Sequence, residues 1–174
     1  MEPFVHAFKE HRPDVAQASF IAPGAVVIGR VTMGRGSSIW YGCVVRADLE
    51  RIELGEDVNV QDGSILHSDP GLPVILGDRV SLGHGAIVHG AVVEDDVLIG
   101  MRATVLNGAH IGAGSVVAAG AVVRPGMEVP PNSLVVGIPA KVRKETGDAE
   151  RGMIAATTEE YVRLSAEHAQ EVSS

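Results

Sequence analysis

Residues 60–101 read VQDGSILHSDPGLPVILGDRVSLGHGAIVHGAVVEDDVLIGM, and this stretch determines the fold. Aliphatic residues recur in it at intervals of six, with one longer interval and one shift of register. A period of six matches neither an α-helix at 3.6 nor an alternating strand at 2, but it does match a short strand followed by a turn. The repeat positions along the chain are Ile21, Val27, Met33, Ile39, Val45, Leu54, Val60, Leu66, Leu76, Leu82, Val88, Val93, Ile99, Val105, Ile111, Val117, Val123, Val129 and Val135.

Three such units would close one triangular coil, and small residues suit its tight corners. Glycine follows several repeat positions, as at Gly55, Gly77 and Gly112. We therefore predict an all-β fold, a left-handed parallel β-helix of hexapeptide repeats. A β-sandwich, the competing interpretation, predicts less regular spacing. Two breaks in the repeat, at residues 46–53 and 67–75, are expected to form loops on one face of the solenoid.

The chain divides into two predicted parts. Residues 1–145 form the β-helix domain, with a lead-in over residues 1–20, and residues 146–174 form an exit segment and a C-terminal α-helix. Within TTEEYVRLSAEHAQEV, Thr157 or Thr158 is a candidate N-cap. Tyr161, Leu164 and His168 share one helical face, which predicts a helix packed on the outside of the solenoid.

Composition limits the partners and the compartment. The 174 residues carry a net charge of −8, which gives no electrostatic basis for binding nucleic acid or an anionic membrane. No stretch is long and apolar enough to span a bilayer. Cys43 is the single cysteine, so no internal disulfide can form, and the default prediction is a cytoplasmic protein.

Three of the seven histidines lie in the central stretch. His67 and His89 each follow a repeat aliphatic residue and are separated by one coil plus an insertion of about four residues, so their side chains should stack at one corner. His84 lies on the preceding side of the triangle, and a groove between neighbouring subunits of a homotrimer would bring it to the other two. Three histidines leave one position open on a tetrahedral zinc ion, as in catalytic sites. Iron(II) or cobalt would also accept these ligands.

Further polar residues follow repeat positions nearby. Gln61 is a candidate to hydrogen-bond and orient a metal-bound hydroxide. Arg46 and Asp48 are expected to form a bidentate salt bridge across the subunit interface, with an indirect effect on the site. Asp62 is either a site residue or a turn residue that caps its own backbone.

The segments VVRAD (44–48), NVQDGSILH (59–67), LGHGAIVHG (82–90), IGMRATVLNGA (99–109) and GIPAKVRK (137–144) resemble those of the gamma-class carbonic anhydrases. The resemblance covers roughly residues 10–145. It implies a lyase that hydrates carbon dioxide to bicarbonate with a metal hydroxide at trimer interfaces. By this likeness His67 and His89 of one chain and His84 of the next are the metal ligands. Arg46 and Asp48 would form the interface pair beside the site, which Gln61 and Asp62 would line.

One departure from that family concerns proton transfer. The well-studied members carry a glutamate directly after the VVRAD-like aspartate and a long acidic loop, whereas this chain has Leu49 and the short segment SDPGLP. Glu50, Asp69 and Tyr161 are the candidate replacements. Positioned proton transfer typically contributes 10²–10⁴-fold to rate, so its loss would slow the reaction.

Three other functions use the same scaffold. A hexapeptide acyltransferase would bind acetyl-CoA and use one histidine as a general base. A thioesterase would use the same metal hydroxide to hydrolyse a thioester. A non-catalytic trimer would bind the metal only to stabilise its assembly.

Overall fold

The computed structural model describes residues 2–172. Their secondary structure consists of nineteen strands and one helix. The strands are β1 (Phe4–His6), β2 (Phe20–Ile21), β3 (Val26–Met33), β4 (Ser38–Ile39), β5 (Val44–Leu54), β6 (Asn59–Val60), β7 (Ile65–His67), β8 (Val74–Leu76), β9 (Ser81–Leu82), β10 (Ile87–His89), β11 (Val92–Val93), β12 (Leu98–Ile99), β13 (Thr104–Val105), β14 (His110–Ile111), β15 (Val116–Val117), β16 (Val122–Val123), β17 (Glu128–Val129), β18 (Ser133–Val136) and β19 (Lys141–Glu145), and the helix is α1 (Asp148–Val172).

The strands from β1 to β18 stack in parallel, and from β6 to β15 each pairs with the strand three further along the chain. The first strands pair two apart, as in β2 with β4 and β3 with β5. One face runs β7, β10, β13, β16, the next runs β8, β11, β14, β17, and the third runs β6, β9, β12, β15, β18. The first two faces form one sheet because β5 bends round a corner and pairs with β7 through its first residues and with β8 through its last. Three strands to a coil is the predicted left-handed β-helix, so the β-sandwich is excluded.

The repeat residues form the core. Those from Val27 to Val135 are all 5% exposed or less, and the largest side chains among them are fully enclosed. Ile21 is the exception, since it lies in the first coil and is partly buried. The interior is a narrow column of aliphatic side chains, as a composition with 3% aromatic residues requires.

Only one of the two breaks in the repeat forms a loop. Residues 46–53 lie within strand β5, where the register passes from Gly29 opposite Ala47 to Val31 opposite Ile52. The prediction of a loop here was wrong, because the extra residues are absorbed as a bulge in a continuous ladder. The second break is a true loop, closed by a bridge between Asp69 and Leu72.

The C-terminal helix packs on the outside of the solenoid, as predicted; it lies on the third face, and Tyr161 and Leu164 contact the core. It begins at Asp148 rather than near Thr157, so the predicted N-cap was wrong. Thr157 and Thr158 instead donate hydrogen bonds to the carbonyl oxygens four residues earlier in the helix. Before it, β19 runs antiparallel to β18 and closes the end of the solenoid.

The boundary drawn between residues 145 and 146 stays a prediction, and its outer limits at residues 1, 173 and 174 lie outside the described part. Among the described helical residues, no segment has the length and apolar character needed to cross a membrane.

Candidate metal centre

His67 and His89 end two adjacent strands and stack in register. His89 of β10 pairs with His67 of β7, and Arg46 of β5 pairs with His67 on the other side. The Nδ1 atom of His67 lies 2.9 Å from Nε2 of His89. The stacking that the repeat spacing predicts is therefore present within one chain.

The outer nitrogen of each ring is held by an oxygen atom. Nε2 of His67 lies 3.1 Å from a carboxylate oxygen of Asp48, which can only accept, so this nitrogen carries the proton. Nδ1 of His89 contacts the side-chain oxygen of Asn107, whose amide nitrogen donates to Asp69 at 2.7 Å. Because Asp69 also only accepts, the Asn107 oxygen must face His89, and His89 is protonated on Nδ1.

These two tautomers leave the inner nitrogens of both rings with lone pairs that face each other. Such an arrangement is unfavourable unless a cation lies beside both nitrogens. Two nitrogen ligands at 2.0–2.1 Å from a tetrahedral zinc ion would be about 3.3 Å apart, close to the separation seen here. Asp69 brings a carboxylate oxygen to the same group, since the ligand atoms of His67, Asp69 and His89 lie within 4.8 Å of one another. The donor set fits a metal ion.

Arg46 and Asp48 form a salt bridge of 2.6 Å within the chain. Burial opposes the ionisation of Asp48, but hydrogen bonds from Arg46 and His67 outweigh it and keep the pKa of this carboxyl below its ordinary value. The carboxylate form is the one that holds His67 in its tautomer. Arg46 and Asp48 thus act on the site through His67.

His84 lies apart from this pair, at the opposite end of β10 from His89. Its Nδ1 contacts Asp62 at 2.9 Å, and its Nε2 is 3.4 Å from the Tyr161 hydroxyl on helix α1. The His84 side chain is 49% exposed, against 13% for His67. Burial, followed by the charges of Asp62 and Glu160, raises the pKa of Tyr161, so the neutral phenol is the form that meets His84.

Gln61 lies beside His84 and is held by a buried polar chain. Its side-chain nitrogen donates to Asn59 at 3.0 Å, and Asn59 donates to Ser81 at 2.7 Å. Within residues 2–172 no group donates a hydrogen bond to the Gln61 side-chain oxygen, so this oxygen can accept one. Gln61, His84 and Tyr161 border a cleft of about 580 Å³ between helix α1 and the third face, lined mainly by apolar side chains.

The structure therefore separates the sequence-predicted residues into two groups at two corners. The first contains Arg46, Asp48, His67 and His89, and the second contains Gln61, Asp62, His84 and Tyr161. Sequence reasoning missed Asn107. Its position two residues after Val105 was an available signal, because Val105 pairs with Val88, directly before His89, and this places Asn107 in the adjacent corner of the next coil.

Comparison with known proteins identifies the family. A family model for bacterial transferase hexapeptide repeats matches residues 90–125. A protein of Methanocaldococcus jannaschii, provisionally named a carbonic anhydrase, is 48% identical over 83% of this chain and 91% of its own. Gamma carbonic anhydrase 2 of Arabidopsis thaliana mitochondria is 41% identical over 92% of this chain. The chain belongs to the gamma-class carbonic anhydrases.

As a member of this family, the protein is an enzyme of the lyase type. It spans only 60% of the length of the Arabidopsis gamma carbonic anhydrase, against 91% of the archaeal protein. A solved structure from Bacillus cereus superposes with a TM-score of 0.94 at 37% identity, covering 97% of this chain and 98% of that one. That structure is described, provisionally, as an acetyltransferase. The scaffold is thus shared with proteins that carry another functional name.

Proposed function

We propose that this protein catalyses the reversible hydration of carbon dioxide to bicarbonate at a metal site formed by His67 and His89 of one subunit and His84 of the next. The observation that carries the proposal is the pair of imidazole nitrogens 2.9 Å apart, because the contacts of Asp48 and Asn107 with the outer nitrogens leave both inner lone pairs available. Both outer nitrogens already have a hydrogen-bond partner, so the two inner nitrogens remain available to bind a cation. The family assignment supplies the reaction.

Zinc is the proposed metal, with iron(II) or cobalt as chemically compatible substitutes. When bound by three histidines, zinc lowers the pKa of a water ligand to about 7 and so provides a nucleophile at neutral pH. Asp48 and Asn107 would hold His67 and His89 in the tautomers that present lone pairs. Asp62 would do the same for His84, because its carboxylate contacts the opposite ring nitrogen.

Gln61 and the cleft would receive the substrate. Carbon dioxide is small and apolar, and the cleft offers apolar walls next to Gln61 and His84. The side-chain oxygen of Gln61 would accept a hydrogen bond from the attacking water and orient it. Tyr161, by its contact with His84, would close the helix side of this half of the site.

A homotrimer would join the two halves. The face that ends in His67 and His89 carries an outward ladder of apolar residues in register, Val26, Val44, Ile65, Ile87, Thr104 and Val122, in which threonine is the one polar member. Ile65 at its centre is 41% exposed. A continuous apolar stripe beside a half-complete site supports burial against a second copy of the chain. The cytoplasm stays the proposed compartment, because Cys43 has no partner for a disulfide within the chain.

The proposal is tested by stopped-flow carbon dioxide hydration on protein of known metal content. We expect activity to rise in proportion to zinc occupancy and to disappear in His89→Ala. Because Leu49 stands where a proton-accepting glutamate would follow Asp48, the rate should also rise with buffer concentration. A fully metallated protein that does not hydrate carbon dioxide at any buffer concentration would overturn the proposal.

The acyltransferase alternative is favoured by the name given to the Bacillus cereus structure. It predicts saturable binding of acetyl-CoA that is independent of metal. Isothermal titration with acetyl-CoA, before and after removal of metal, separates it from the hydration proposal.

A further inference from the structure

Asn107 connects one proposed ligand to the loop that follows the other. It lies in the corner after β13, the strand that pairs with β10, and so meets His89 from the next coil. Its side-chain oxygen accepts from Nδ1 of His89, and its side-chain nitrogen donates to Asp69 at 2.7 Å. Asp69 lies two residues after His67 in the loop between β7 and β8. Asn107 thus links His89 to Asp69 through the ring nitrogen of His89 that does not face His67.

The direction of the Asn107 amide is set by Asp69. An amide can present either its oxygen or its nitrogen, whereas a carboxylate can only accept. Asp69 therefore selects the orientation in which the oxygen of Asn107 faces the ring. Without Asp69, Asn107 could equally turn its nitrogen to His89, which would stabilise the other tautomer and place a proton on the nitrogen that faces His67.

The surrounding backbone holds Asn107 close to the ring. The amide of Gly108 donates to the carbonyl of Gly90 at 2.6 Å, which ties the two corners together. A Cβ atom built at Gly90 would lie 3.1 Å from the side-chain oxygen of Asn107 and 3.1 Å from Leu72. Because glycine has no Cβ atom, position 90 leaves the space that the Asn107 side chain occupies beside His89.

We propose that Asn107 is a positioning residue that fixes the metal-binding tautomer of His89, and that Asp69 is the anchor that orients Asn107 rather than a ligand. This inference rests on the proposed function, in which His89 binds the metal. Outer-shell partners of this kind typically change metal affinity by 10–100-fold when removed. Asn107→Ala should weaken zinc binding by about this factor.

The first test is the ring nitrogen spectrum of His89. Long-range proton–nitrogen NMR on protein labelled at histidine distinguishes the two tautomers, and it is recorded on metal-free protein above the pH range in which imidazole titrates. We expect His89 to be protonated on Nδ1 in the native protein and in Asn107→Asp, which keeps an acceptor. In Asn107→Ala this signature should be lost. An unchanged tautomer in Asn107→Ala overturns the proposal.

The second test is the zinc dissociation constant, obtained by competition with a chelator. Asn107→Ala should lose 10–100-fold, whereas the matched control Glu128→Gln, an exposed residue of the same sheet, should not change. Thermal unfolding of each metal-free variant checks that it folds. If Asn107→Ala is too unstable, Asn107→Ser removes the same bridge with a smaller change in polarity. Native zinc affinity in a folded Asn107 variant would contradict the positioning role.

A double-mutant cycle decides the role of Asp69. If Asp69 acts through Asn107, Asp69→Ala weakens zinc binding in the native background but not in Asn107→Ala. An equal loss in both backgrounds would make Asp69 a direct ligand and overturn the anchor role. A native protein that shows the expected tautomer but binds no zinc would refute the proposed function while leaving the tautomer control by Asn107 in place.

Discussion

At the residue scale, the candidate site depends on hydrogen bonds made on the far side of each imidazole. His67 is oriented by Asp48, His89 by Asn107 and His84 by Asp62. None of the three partners needs to touch a metal to affect it, because each determines which ring nitrogen keeps its lone pair. Substitution of these partners should therefore change affinity more than fold.

The site requires a glycine at position 90, for its backbone conformation and for its lack of a Cβ atom. Its φ of +55° is a left-handed conformation that costs other residues about 1–2 kcal/mol. Its Cβ position is also crowded by Asn107 and Leu72. Gly120 has a similar φ of +69° but nothing within 4 Å. We expect Gly90→Ala to lower the free energy of unfolding more than Gly120→Ala, measured by urea denaturation. Equal losses would show that the crowding is relieved at no cost.

The sequence predicted the pair of histidine ligands better than the residues that hold them in place. The repeat spacing alone placed His67 and His89 on adjacent strands, because a solenoid converts sequence distance into stacking. The orientations of Asp48, Asp69 and Asn107 depend on a bulge and a short loop, whose shapes the repeat does not encode. The sequence therefore did not predict the hydrogen bonds that these three residues make.

At the element scale, the ends of helix α1 and strand β19 are joined by one ion pair. Lys144 on β19 lies 2.5 Å from Glu150 in the first turn of the helix. Glu150 also accepts from the amide of Gly147 at 2.8 Å, as in a capping box. This local arrangement starts the helix at Asp148, nine residues before the threonines that the sequence pattern favoured. The hydroxyl groups of those threonines donate to carbonyl oxygens within the helix. A residue type that favours the N-cap was therefore not sufficient evidence for the start of a helix.

Glu150 should stabilise the fold in a pH-dependent manner. The hydrogen bond from Lys144, followed by that from Gly147, lowers the pKa of Glu150 from 4.5 to about 2. A lowered pKa in the folded state means that the contribution is complete above pH 4.5 and is lost as the pH falls towards 2. Glu150→Gln should therefore reduce the urea midpoint at neutral pH, and the difference from the native protein should vanish near pH 2.

The matched control is Glu159→Gln on the exposed side of the same helix. We expect it to follow the native protein across the whole pH range. A Glu150→Gln variant whose deficit does not change with pH would indicate that the ion pair with Lys144 contributes nothing and that only the capping geometry matters.

At the scale of the whole molecule, the apolar stripe is the proposed subunit interface. Ile65 and Val92 are both exposed aliphatic residues, at 41% and 37%, but they lie on different faces of the solenoid. We expect Ile65→Glu to dissociate the proposed trimer in sedimentation experiments, because it places a charge within the proposed interface. Val92→Glu should leave the size unchanged. A trimer that survives Ile65→Glu would exclude this face as the interface.

In the proposed trimer, each metal site takes His67 and His89 from one subunit and His84 from another. Mixing tests this arrangement directly: His84→Ala subunits are unfolded and refolded with an equal amount of the His67→Ala/His89→Ala double variant. Neither variant alone should retain tight zinc, whereas random mixed trimers each recover one complete site, about a quarter of the native total. Zinc retained after dialysis against a chelator measures this recovery. Recovery near a quarter supports the shared site, and a mixture that forms mixed trimers yet retains no more zinc than its parents would contradict it.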